Sequence, residues 1–254
     1  MTGRAVRPPI AVVAGSAVSL KVVPLRGERL PITVAVAGPG IAVVEALSNR
    51  VGPNFATFRL RGSAAGDTRL EVRAATGGVP LIVGVRVQAA VALPAANTDA
   101  GLLARLLLAE SPGPGRADYT ATASGEALTL MRVVLENRRR RPSARWGSAG
   151  ATSLVDVVRA RGQFEGFGSY PTLSAAVTAR IADMLAIANN AGDARQASIR
   201  AHVEQVIAVA SGPAPPDPTT TGLYWWRTEG SGAPGTGVLL YRSVLGNSFY
   251  REGK

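Results

Sequence analysis

Thr98–Glu110, TDAGLLARLLLAE, is the stretch on which the reading of this chain turns. Before it, apolar residues recur at every second position; from it onward, they recur at a helical period. Thr98 or Asp99 supplies an N-cap, and Leu102, Leu103, Leu106 and Leu107 fall on one stripe at about 100° per residue. Glu110 follows Leu106 by one turn, on the apolar side. A carboxylate there is costly unless it is paired or protonated. Two readings stay open: a salt bridge closing the helix end, or a desolvated acid whose raised pKa suits proton donation near neutral pH.

Upstream, residues 1–93 read as all-β. Alternation runs through VSLKVV (18–23), PITVAV (31–36), FATFRL (55–60), RLEVRA (69–74) and IVGVRVQ (82–88). Turn signals separate these runs at Pro24–Gly27, Gly38–Gly40, Gly52–Asn54, Gly66-Asp67 and Gly77-Gly78. About seven short strands with even punctuation predict an immunoglobulin-like sandwich, and the pattern resembles bacterial Ig-like modules. Nothing in it carries chemistry. Leu93–Asn97 (LPAAN) reads as a linker, so two domains are expected, 1–93 and 98–254.

Composition narrows the chemistry. The 254 residues include no cysteine, which excludes disulfides, thiolate metal sites and cysteine catalysis. The single histidine, His202, argues against His-rich zinc sites and a Ser–His–Asp triad, and its helical context predicts a surface or packing role. An acid or base would then be a carboxylate, with no metal or cofactor. A net charge of +11 points to a polyanionic partner, with cell wall favoured over nucleic acid because no basic stretch is interleaved with aromatics. No apolar run reaches the length of a membrane span. The opening MTGRAVRPPIAVVAGSAVSLKVV mimics a signal peptide, but its apolar run is short and Val-rich. It reads as the first strands of a domain, and no export signal is expected.

Downstream, Ser111–Gly115 (SPGPG) must break the first helix and leaves room beside Glu110 for a ligand. Further helices are expected at 124–140 and 152–160, the first ending in four arginines that offset the helix dipole, either as a solvated end or against an anionic partner. The Gly-rich loop 161–171 carries Phe164, Phe167 and Tyr170, either as a sugar-stacking groove wall or as an apolar plug. Ala-rich helices at 172–190 and 193–212 form an antiparallel hairpin. In the tail, Tyr224-Trp225-Trp226 and Val238–Tyr241 would pair as a hairpin around Gly230–Gly237. Such an aromatic cluster is either a carbohydrate platform or ordinary core.

Four segments in order, LLARLLLAE (102–110), GEALTLMRVVLENR (125–138), SLVDVVRARGQF (153–164) and LLYRSVLGNSFYR (239–251), together resemble the cell wall hydrolases of the spore-cortex-lytic type. The resemblance implies an α+β, mainly helical, lysozyme-like domain that cuts the MurNAc–GlcNAc β-1,4 bond of peptidoglycan, as a muramidase or a lytic transglycosylase. It implies Glu110 as the acid and Glu126 as the second carboxylate. Phe167, Tyr170, Trp225 and Tyr241 are the candidate sugar contacts. Action at the cell wall or periplasm without an export signal would fit delivery by a secretion machine or a phage particle, with an immunity protein as a further partner. The rival expectation is a non-catalytic wall- or glycan-binding protein of the same fold.

Overall fold

The computed structural model describes residues 9–23, 31–50, 55–75, 77 and 79–253. The turns expected at 24–27 and 52–54, Gly78 and the first eight residues lie outside the described residues. The chain divides into two compact units: Met1–Val91 with Ile187–Ala197, and Ala92–Ala186 with Ser198–Lys254.

The first unit holds β1 (Ile10–Val13), β2 (Ala17–Val22), β3 (Ile32–Val36), β4 (Ala42–Arg50), β5 (Phe55–Gly62), β6 (Gly66–Ala74) and β7 (Leu81–Gln88). They form two sheets, ordered β1-β7-β6-β3 and β2-β5-β4, with β1 parallel to β7 and the other pairs antiparallel. Alternation places Ala56, Phe58 and Leu60 of β5 in one buried row, against Val12, Ile32, Leu70, Val85 and Val87 from the other sheet. Gly62 is required at the end of β5, because a Cβ there would lie 2.9 Å from the Val13 carbonyl oxygen. The Asn49 side chain ties the sheets at their edge, accepting from Ile32 N at 2.8 Å and donating to Ile32 O at 3.3 Å.

The second unit is built around α2 (Ala121–Arg140). It packs against α1 (Asp99–Glu110), α3 (Leu154–Arg159) and a three-stranded sheet of β8 (Leu223–Thr228), β9 (Val238–Val244) and β10 (Asn247–Glu252). The remaining helices are α4 (Ala175–Ala188) and α5 (Gln196–Ser211). Each early helix begins at a hydroxyl cap. Thr98 Oγ1 accepts from Gly101 N at 3.0 Å, Thr120 Oγ1 accepts from Ala123 N at 3.1 Å, and Ser153 with Asp156 closes a capping box. The leucine stripe of α1 is buried throughout.

The fold class expected from the sequence, an Ig-like sandwich followed by a mainly helical lysozyme-like α+β domain, is corrected. The described chain is β-rich, with ten strands in three sheets and only five α-helices, and no lysozyme-like helical domain forms. Periodicity identifies helices one at a time but says nothing of what they pack on. Here α2 lies against β8 and β9. The tail hairpin is corrected too. β8 and β9 do not pair with each other; both flank β10. The tight turn lies at Leu245-Gly246, whose φ values of 49° and 73° suit a two-residue connection from β9 to β10. The arginines ending α2 do not all meet solvent. Arg138 is buried and donates to Tyr224 O at 2.7 Å and to Gln163 Oε1 at 2.8 Å, fastening β8 and the Gly-rich loop to the helix. Desolvation pushes its pKa down to about 10.

Candidate functional site

The leucine stripe fixes the roll of α1 and so delivers Glu110 to the rim of the second unit's core. Its carboxyl is half-buried. Desolvation holds its pKa above the ordinary carboxylate value; the Arg180 guanidinium of α4 pulls against this, and the Glu165 carboxylate adds to it. Arg180 is kept close by a hydrogen bond, 3.1 Å, to the backbone oxygen of Ser111, the residue that caps α1. The result is an acid inclined to keep its proton, beside a cation that favours the anion once the proton has left.

Ser111 also faces His202. The imidazole is fully buried on α5. Its Nε2 lies 3.4 Å from Ser111 Oγ, and its Nδ1 lies 3.2 Å from Ser124 Oγ and 3.3 Å from the Tyr119 hydroxyl. Burial first, and the Arg180 charge second, push the His202 pKa down to about 4, so the ring is neutral near pH 7. A neutral ring has one donor and one acceptor nitrogen, and hydroxyls can serve either. Ser111 therefore joins two arms: its carbonyl holds Arg180 and its hydroxyl meets His202. The sequence reading overlooked this cluster. The signal was a polar residue on the apolar stripe of α5, beside Val203 and one turn before Val206, both buried.

The other expected site residues are dispersed. Glu126 of α2 pairs with Arg242 of β9 at 2.8 Å. Phe167 is fully buried and stacks on Tyr170, centroids 6.3 Å apart, while the Tyr170 hydroxyl donates to Ala96 O. These rings plug the Gly-rich loop onto the core and offer a sugar no open face. Trp225 is buried among Trp146 (5.8 Å, edge-on) and Tyr224 (6.0 Å), with Trp146 stacked on Tyr224 at 4.1 Å. This cluster joins the sheet to the Ala144–Trp146 turn as core. Of the four aromatic candidates, Tyr241 lines a groove of about 600 Å³, shared with Pro218, Thr219, Thr220, Leu239 and Arg251.

Among the described residues no cluster of three or more His, Asp or Glu side chains could hold a metal ion, and no helix is long and apolar enough to cross a membrane. No family model matches the chain, and no curated protein matches it. Solved structures that match come from the surface-layer protein SbsC. Its domains 1–6 match at 22% identity over 34% of this chain and 12% of that one, with a TM-score of 0.29. A second structure, of domains 4 and 5, matches at 23% identity over 32% of this chain and 47% of that one, with a TM-score of 0.27. The chain spans less than half the length of either. A likeness this slight carries no argument about function. The resemblance to cell wall hydrolases of the spore-cortex-lytic type, preceded by a bacterial Ig-like domain, is withdrawn. No family model matches, and the described chain is β-rich, not the mainly helical lysozyme-like domain that the resemblance implies. Short runs such as LLARLLLAE arise wherever an amphipathic helix ends in a glutamate, which is why they suggested a family the whole chain does not match.

Proposed function

We propose that this chain is a peptidoglycan glycosidase in which Glu110 is the general acid. The observation that carries the reading is the position of Glu110 at the end of the buried leucine stripe of α1, where desolvation raises its pKa and the Arg180 charge opposes the rise. In the proposed step, Glu110 passes its proton to the glycosidic oxygen as the sugar C1–O bond breaks. The carboxylate left behind is stabilised by Arg180. It then serves as base toward water, giving a hydrolysis product, or toward the sugar's own C6 hydroxyl, giving a 1,6-anhydro product. The net positive charge supports adhesion to an anionic wall.

The test is digestion of purified sacculi with mass spectrometry of the soluble products. The wild-type chain is expected to release muropeptides with either a reducing or an anhydro end. Glu110→Gln keeps shape and hydrogen bonding but has no proton to give, and is expected to lower the rate about 10²–10⁴-fold. Undiminished release by Glu110→Gln would refute the assignment. Retention on sacculi with no release by the wild-type chain would replace it with non-catalytic glycan binding.

A further inference from the structure

The groove at the β9–β10 face is a built site that the proposed cleavage does not use. Its wall is the 217–222 loop, held by one carboxylate. Asp217 Oδ1 accepts from Thr219 N at 2.7 Å and Thr219 Oγ1 at 2.8 Å, and its Oδ2 accepts from Leu223 N at 3.0 Å and from the Asn137 amide. Thr219 Oγ1 in turn accepts from Gly222 N at 3.0 Å, and Thr221 Oγ1 donates to Glu252 O at 2.7 Å. A loop with this many anchors presents a fixed wall rather than a mobile flap.

The opposite side is shaped by an irregularity in the sheet. Leu240 pairs with Tyr250 and Arg242 pairs with Phe249, so Tyr241 is the extra residue of a β-bulge. A bulge re-aims the side chain it frees, and Tyr241 lines the groove. Arg251 stands directly across from Leu239 in the ladder, and both line the groove. The neighbouring acid, Glu252, is engaged by Arg145 at 3.4 Å. The groove thus joins a half-exposed tyrosine, a leucine, two threonines and an arginine whose guanidinium also donates to Glu252 O at 3.2 Å.

We propose that this groove binds an anionic sugar, its ring face on Tyr241 and its carboxylate on Arg251. Aromatic rings accept the apolar face of a pyranose, and guanidinium groups favour carboxylates through paired, charge-assisted hydrogen bonds. Within the peptidoglycan reading, on which the choice of ligand rests, the sugar is N-acetylmuramic acid, recognised by its 3-O-lactyl carboxylate. N-acetylglucosamine has the same ring without that acid and is the matched control.

The test is titration of the ¹⁵N-labelled full chain with each sugar, read by chemical-shift change. N-acetylmuramic acid is expected to shift signals of Tyr241, Arg251 and the 218–220 loop saturably, with N-acetylglucosamine about tenfold weaker, as loss of one hydrogen bond to a charged group implies. Arg251→Gln is expected to erase that preference. Leu239→Glu does so by a second route, placing a negative charge across the ladder from Arg251 at an exposed position, where the fold bears it easily. Equal affinity for the two sugars, shifts confined to other surfaces, or a preference that survives both variants would overturn the proposal. Glu110→Gln is expected to bind as the wild type does, so a chain that binds the sugar yet cuts nothing refutes the glycosidase reading alone. A chain that cuts yet shows no preference refutes the groove alone.

Discussion

His202 makes acid destabilise the second unit, by an amount set by its burial. The imidazole is fully buried and its pKa is pushed down to about 4, from 6.5 when unfolded. Between those values the unfolded chain binds a proton that the native chain refuses, so stability falls as pH drops from 6.5 toward 4 and levels off below. A depression of this size is worth about 3 kcal/mol over the window. With urea slopes of about 1–3 kcal/mol per molar, the unfolding midpoint should move down by about 1 M or more. The assay is urea unfolding followed by helical circular dichroism across that pH range, on the wild type and on His202→Gln. The variant starts less stable, because its amide cannot reproduce contacts with Ser111, Ser124 and Tyr119 at once. It should nevertheless lack the wild type's additional loss on acidification. Because His202 is the only histidine, its ring Hε1 is a single NMR signal that needs no residue assignment, and it should not titrate near 6.5 in the native chain. Parallel losses in the two proteins, or a native titration near 6.5, would refute the account of a buried neutral ring.

Glu110 shifts stability the other way. Its folded pKa is raised, so the stability it lends is present below 4.5 and lost as pH rises through the higher folded value. Glu110→Gln should therefore melt at the same or a higher temperature than wild type at neutral pH, even as cleavage falls; a lower melting temperature would mark the carboxylate as a structural ion-pair partner of Arg180. Gly101→Ala should destabilise the second unit by about 2 kcal/mol or more, because a Cβ there collides with the Ala95 carbonyl oxygen. Thermal unfolding within a degree of wild type would show that the 94–96 backbone yields.

What the sequence revealed and what it hid divide along physical lines. Leu102, Leu103, Leu106 and Leu107 announce α1 because a helix that buries one face must space its apolar residues that way, and the Thr98 cap is legible for the same local reason. The alternation in FATFRL likewise marks β5. Glu110 could be singled out because a charge on an apolar stripe is locally anomalous. Its partners could not, since Arg180 and Glu165 arrive from segments far along the chain. Burial of Phe167, between Gly166 and Gly168, and of Trp225, between Tyr224 and Trp226, was equally hidden, because an aromatic has the same sequence whether it lines a groove or plugs one. The pairing of β8 and β9 through β10 depended on the Leu245-Gly246 turn, where leucine takes a left-handed conformation that its side chain gives no reason to expect. The family resemblance failed because each motif reported local periodicity, which many unrelated helices share.

The aromatic cluster has an optical consequence. Trp146, Trp225 and Trp226 and all five tyrosines lie between residues 119 and 250 and outside 187–197, so every strong near-ultraviolet chromophore belongs to the second unit. The first unit, with phenylalanine as its only aromatic, is dark at tryptophan wavelengths. Intrinsic fluorescence will therefore follow the melting of one unit and stay silent about the other. A two-state trace from it speaks for part of the molecule, and a tryptophan placed in the β5 row, at Phe58, would give the first unit its own signal.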